Sequence, residues 1–194
     1  MFNYMINLAE INNLLELFFH QYKKQKNKNS ILLTSLSDVK KKFSWQQTFN
    51  LINQLSNEIK KFTNKGDRCL LISENRPEWF ISDLSIMLSG CITVPAYTTY
   101  AEKDYDYIIN DCKPNVIFVS NKEQYYKIKN IIQNKNFIKK IFSFENLNTS
   151  LISFFNINNS FDTGSMNTSL EINISRNDPA CIIYTSGTQG NPKG

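Results

Sequence analysis

A chain of 194 residues has room for one ordinary domain or for the front part of a larger one. Its 41% hydrophobic and 13% aromatic content suits a globular core, and a net charge of +5 is too small to make nucleic acid the default partner. No apolar run approaches the ~20 residues of a membrane-spanning helix, and the start MFNYMINLAE lacks the basic segment of a secretory signal.

The expected elements alternate along the chain. Leu8, Ile11, Leu14, Leu15, Phe18, Phe19 and Tyr22 fall on one face, which predicts an amphipathic helix over Leu8 to Tyr22. ILLTSL (Ile31 to Leu36) reads as a short buried strand. Ser44 and Gln47 form a capping-box pair, followed at helical spacing by Phe49, Ile52, Leu55, Ile59 and Phe62, and Gly66-Asp67 ends that helix. RCLLIS (Arg68 to Ser73) is a strand, Pro77 opens a helix to about Ser89, and CITVP (Cys91 to Pro95) is the next strand. A helix over Glu102 to Asn110, a strand over Asn115 to Ser120, a helix capped by Ser120 or Asn121 and running to about Gln133, and a strand over Phe137 to Phe144 complete the pattern.

That alternation predicts an α/β fold: a mostly parallel sheet with helices on both faces. From Glu145 to Asp178 the pattern fails, and the reading there is a long irregular connection with room for one short strand. ACIIYTS (Ala180 to Ser186) restores strand character. The lysine runs YKKQKNK (Tyr22 to Lys28) and VKKK (Val39 to Lys42) read as solvated surface. Cys69, Cys91, Cys112 and Cys181 show no metal-ligand or redox spacing and are expected to be buried free thiols in a reducing cytosol.

The chemistry concentrates in YTSGTQGNPKG, Tyr184 to Gly194. Glycines let a backbone approach a ligand closely, and successive N–H groups of such a turn can face one concavity and hold phosphate oxygens. Thr185, Ser186 and Thr188 add hydroxyl donors and Lys193 a positive charge. The spacing Gly187-x-x-Gly190-x-x-Lys193 is not that of the P-loop of nucleotide hydrolases, and Gly194 stands where that loop needs a hydroxyl for magnesium. Composition alone leaves a simple Gly/Ser/Thr hairpin equally open.

The segment resembles the Ser/Thr/Gly-rich motif of the adenylate-forming superfamily, [YF]-T-S-G-[ST]-T-G-x-P-K-G. It departs only at Gln189, where the family most often has a small or hydroxyl residue. Upstream, GDRCLLISENRPEWF, VPAYTT and DCKPNVIFVS are similar to that superfamily's early region, most of all to its long-chain fatty acyl-CoA synthetases. The likeness covers about residues 31 to 194. It implies an acid–thiol ligase: a carboxylic acid attacks the α-phosphate of ATP to give an acyl adenylate, and coenzyme A then takes the acyl group. ATP, Mg2+ and coenzyme A are the implied cofactors and co-substrates. Thr185, Ser186, Gly187, Thr188, Gly190 and Lys193 would grip the β- and γ-phosphates.

The same resemblance makes residues 1–194 the N-terminal portion of an AMP-binding domain. The family's adenine and ribose contacts, its Y-G-x-T-E motif with the magnesium-linked glutamate, and its small C-terminal domain with the catalytic lysine all lie after the loop. No catalytic residue and no metal ligand is therefore expected here, and the segment alone is expected to be inactive. A cytoplasmic location is expected, with peripheral membrane contact left open. Other adenylate-forming enzymes, aryl- or amino-acid-activating, and a non-catalytic fragment are the alternatives. Asn75, Arg76, Pro77, Glu78 and Trp79 are expected to set a strand-to-helix turn and bury an indole, and Tyr97 and Thr98 stand at the ligand-gathering end of their strand.

Overall fold

A computed structural model describes residues 11–147, 153–154, 174–185 and 193–194. The first described helix, α1 (Leu14–Lys24), begins later than periodicity suggested, because Asn13 accepts the Glu16 backbone N–H and caps it. Residues 8–10 of the expected helix lie outside the described residues. β1 (Ile31–Thr34) pairs antiparallel with β2 (Lys42–Ser44), a strand the lysine run concealed. Ser44 ends β2 and caps α2 (Trp45–Lys60). Its Oγ accepts from the Gln47 N–H at 3.1 Å, and the Gln47 side chain accepts from the Ser44 N–H at 2.8 Å.

The main sheet is parallel, with strand order β4-β3-β5-β6-β7. Its strands are β3 (Arg68–Ile72), β4 (Ile92–Ala96), β5 (Val116–Val119), β6 (Lys140–Ser143) and β7 (Ser153–Phe154). Helices α3 (Pro77–Leu88), α4 (Glu102–Cys112) and α5 (Lys122–Ile132) connect them. The register sets Val94, Leu70, Ile117 and Ile141 in one row across four strands. β7 is the short strand for which the irregular connection left room.

Successive strand residues face opposite sides, and each side has its own helices. Leu71, Val116 and Phe118 pack with α1, α2 and α3, where Ile52, Leu55, Ile59 and Ile81 are fully buried. Leu70, Ile72, Ile117 and Val119 pack with Tyr105, Ile108 and Ile109 of α4 and Ile128 of α5. Burying each aliphatic side chain is worth about 1.5–3 kcal/mol, so the apolar strands hold both layers. Gly66 and Gly90, at φ +86° and +81°, turn the chain into β3 and β4, and the Gly66 N–H donates to the Gly90 carbonyl at 2.8 Å.

Three expectations change. Cys69, Cys91 and Cys112 are buried, but Cys181 is exposed, because its strand neighbours only one edge of the sheet. Residues 180–185 of the expected strand pair with β4 only at the parallel bridge Cys181–Thr93 and do not form a full strand, and Ser186 lies outside the described residues. Trp79 packs against the α1–α3 side but is only half-buried.

Candidate phosphate-binding loop

The strand order reverses between β3 and β5. β3 connects outward to β4, and the chain then returns past β3 to β5, with α3 on one face and α4 on the other. In open parallel sheets, ligands gather beyond the carboxyl ends of strands around such a reversal. The Thr93 N–H donates to the Ala180 carbonyl at 3.1 Å, and the Ile182 N–H to the Thr93 carbonyl at 2.9 Å, so the chain re-enters beside β4 in parallel. Continued along that register, Thr185 comes level with Tyr97, just past the end of β4.

There the chain folds back. Thr185 and Lys193 form an antiparallel bridge with both backbone bonds made, N–H to carbonyl in each direction at 3.0 Å. Directly opposed residues of such a pair project their side chains on one face, so the Thr185 hydroxyl and the Lys193 ammonium share a side. Both residues are exposed. Of the expected loop residues the structure therefore joins Thr185 and Lys193; Ser186, Gly187, Thr188 and Gly190 lie outside the described residues.

The bridge stands on aromatic support. Tyr184 is 4% exposed, and its hydroxyl donates to the Asp111 carboxylate of α4. Burial and that bond both raise the phenol's pKa, so it remains a protonated donor. Tyr100 Oη donates to the Tyr184 carbonyl at 3.3 Å and sits edge-on to Tyr97, with ring centres 5.4 Å apart. The turn after β4 is itself tied down, for Tyr105 Oη donates to the Tyr97 carbonyl and Lys127 Nζ to the Thr98 carbonyl, each at 2.7 Å. Tyr97 remains 66% exposed at the ligand end of its strand. Asp111 and Tyr100 carry no sequence signal for this support, since their partner lies far along the chain.

Among the described residues the loop offers the Thr185 hydroxyl and the Lys193 ammonium, donors that suit an anion. Among the described residues no group of three His, Cys, Asp or Glu side chains could hold a metal ion. A cavity of about 270 Å³ lies at the opposite, amino-terminal end of the sheet, lined by Leu15, Met87, Cys91, Ile92 and Ile174 among others. It is mainly apolar and contains none of the loop's donors. No helix among the described residues is long and apolar enough to cross a membrane.

The chain is similar to known proteins. The chain is 27% identical over 130 residues to the long-chain-fatty-acid–CoA ligase FadD15 of Mycobacterium tuberculosis, covering 66% of this chain and 22% of that one. It is 27% identical over 166 residues to long chain acyl-CoA synthetase 3 of Arabidopsis thaliana, covering 79% and 25%. It thus spans about a quarter of the length of these relatives. Among solved structures, the anthranilate CoA ligase AuaEII in complex with anthranoyl-AMP aligns with a TM-score of 0.75 at 23% identity, over 92% of this chain and 33% of that one. ATP-bound MatB from Rhodopseudomonas palustris aligns at 0.69 and 20%, over 95% and 34%. At such identity these structures establish the fold, that of the N-terminal domains of adenylate-forming enzymes. The sequence matches the AMP-binding enzyme family over residues 18–194, and with the loop and sheet in place the chain belongs to that family.

Proposed function

We propose that this chain forms the N-terminal, phosphate-gripping portion of an ATP-dependent acid–thiol ligase whose substrate is a long-chain fatty acid. The observation that carries this reading is the Thr185–Lys193 bridge. It closes the glycine- and hydroxyl-rich segment beside the end of β4 with both donor side chains on one side. The names of the curated relatives supply the substrate class.

In the reaction, a carboxylate oxygen bonds to the α-phosphorus of ATP as the bond from that phosphorus to the bridging oxygen breaks, and pyrophosphate leaves. The coenzyme A thiolate then attacks the acyl carbonyl of the adenylate and AMP departs. The difficulty lies in bringing an anion up to a polyanion. Thr185, Ser186, Gly187, Thr188, Gly190 and Lys193 would hold the β- and γ-phosphates, orienting the leaving group and absorbing its charge, which is positioning and electrostatics. Magnesium would enter with the nucleotide as its counter-ion. Residues 1–194 alone would not turn over.

The test is acid-dependent ATP–pyrophosphate exchange by the natural full-length protein. A long-chain fatty acid should support exchange better than an aryl acid or an amino acid. Exchange driven by either of those instead would reassign the substrate, and no exchange with any acid would overturn the reading.

A further inference from the structure

Gly194 faces the ring of Tyr184. A Cβ placed on it would lie 2.8 Å from Tyr184 Cζ and 2.8 Å from Ile182 Cγ2, well inside contact distance. The ring cannot yield easily, because it is 4% exposed and its hydroxyl is held by Asp111. Its backbone carbonyl is held by Tyr100 at 3.3 Å. One aromatic residue thus lies beneath both ends of the loop: it immediately precedes Thr185, and it carries the glycine that immediately follows Lys193.

We propose that Tyr184 is a positioning residue for phosphate binding, a seat pinned by Asp111 and Tyr100 on which Gly194 closes so that Lys193 stays opposite Thr185. The inference rests on the proposed reading of the loop and adds residues outside the phosphate-gripping set. Two backbone bonds hold the Thr185–Lys193 bridge, and an exposed two-strand contact that small is marginal in water. Seating Gly194 on a fixed, buried ring supplies the tertiary contact that the bridge itself lacks. A side chain at 194 would lift the strand from the ring and misplace the ammonium.

The experiment uses the natural full-length protein with Gly194→Ala, Tyr184→Leu and the double variant. In ATP–pyrophosphate exchange, Gly194→Ala should raise KM for ATP by about tenfold to a hundredfold while KM for the acid stays near wild type. Tyr184→Leu removes the ring and leaves only the Ile182 methyl in the way, so adding Gly194→Ala to it should cost clearly less than in the wild-type background, a coupling that distinguishes seating from general damage. Asp111→Asn, which keeps size and can still accept the phenol's hydrogen bond, should be mild. Hydrogen exchange provides a second readout independent of turnover. The Lys193 amide should lose protection in Gly194→Ala, while amides of β3 and β5 keep theirs. An unchanged KM for ATP with unchanged Lys193 protection would overturn the proposal, and so would equal Gly194→Ala penalties in both backgrounds. If wild-type protein shows no exchange, the ligase reading fails, while the Lys193 protection pattern still decides whether Gly194 seats on Tyr184.

Discussion

Two turns in this molecule carry short signatures that look equally functional in sequence. After β3 runs Asn75-Arg76-Pro77-Glu78-Trp79; past the end of β4 runs the segment opened by Thr185 and closed by Lys193. In the first, Glu78 is 1% exposed and takes hydrogen bonds from Arg76 Nε at 2.9 Å, Arg76 Nη2 at 3.0 Å and Lys41 Nζ. Arg76 also reaches Glu74 at 3.3 Å and lies over the Phe144 ring. In the second, Thr185 and Lys193 are exposed, and only their backbones are paired among the described residues. Charges that answer one another inside the protein fix a turn. Donors held side by side with no side-chain acceptor among the described residues are the arrangement on which the proposed phosphate binding rests.

The largest expected effect breaks the first turn. Glu78→Ala leaves two cations facing an empty, buried site and should cost about 3–5 kcal/mol of stability. Denaturant titration measures it, and KM for ATP should not move at temperatures where the variant is folded. A raised KM for ATP without a stability loss would turn this cluster into a ligand site and collapse the contrast. Acid provides the same test without truncation. Burial would push the Glu78 carboxyl up, but hydrogen bonds from Arg76 and Lys41 outweigh it and hold the group below the usual carboxylate range. With the folded pKa lower than the unfolded one, the stabilisation is present above the unfolded value of about 4.3 and is lost as pH falls through the folded one. Glu78→Gln should therefore flatten the acid limb of the stability curve, and an unaltered limb would remove Glu78 from the acid response.

The second turn should behave in the opposite way. Lys193→Ala in the natural full-length protein should lower ATP–pyrophosphate exchange by about a hundredfold, the loss typical of one preorganised donor at developing charge. Its stability should change by no more than about 0.5 kcal/mol, as for an exposed residue. A substantial fall in melting temperature with normal exchange would make Lys193 structural and erase the difference between the turns.

Sequence made most of the layered body legible because its information is local. Ser44 and Gln47 are three residues apart and cap each other; Asn121 caps α5 through the Gln124 N–H; Pro77 opens α3. Alternating apolar strands gave the parallel sheet. What stayed hidden depends on pairing across distance. β2 was masked because the lysine run leads into it, and of that run only the exposed Lys42, the strand's first residue, belongs to β2. The Glu78–Lys41 contact joins residues 37 apart, and the Tyr184–Asp111 contact residues 73 apart. For the loop, the motif named the expected donors, but the bridge between Thr185 and Lys193 needed the fold. Cys181 followed the same logic: its apolar neighbours suggested burial, yet edge position leaves it exposed.

The smallest effect asks which cation the Glu78 turn depends on. Arg76 is 18% exposed and gives Glu78 two of its three side-chain hydrogen bonds through a rigid planar group. Lys41 gives one from a flexible stem, is 25% exposed, and comes from the β1–β2 hairpin rather than from the turn. Lys41→Met keeps the stem's packing and leaves Glu78 paired with Arg76, so it should cost about 1 kcal/mol, between an exposed pair and a buried one. Arg76→Met should cost clearly more, because Lys41 alone cannot satisfy both carboxylate oxygens. Equal losses would show that the hairpin's docking, rather than the geometry of the turn, sets the energy of this cluster. The buried carboxylate would then serve to fasten β1 and β2 to α3, and only the guanidinium's stacking on Phe144 would remain specific to the turn.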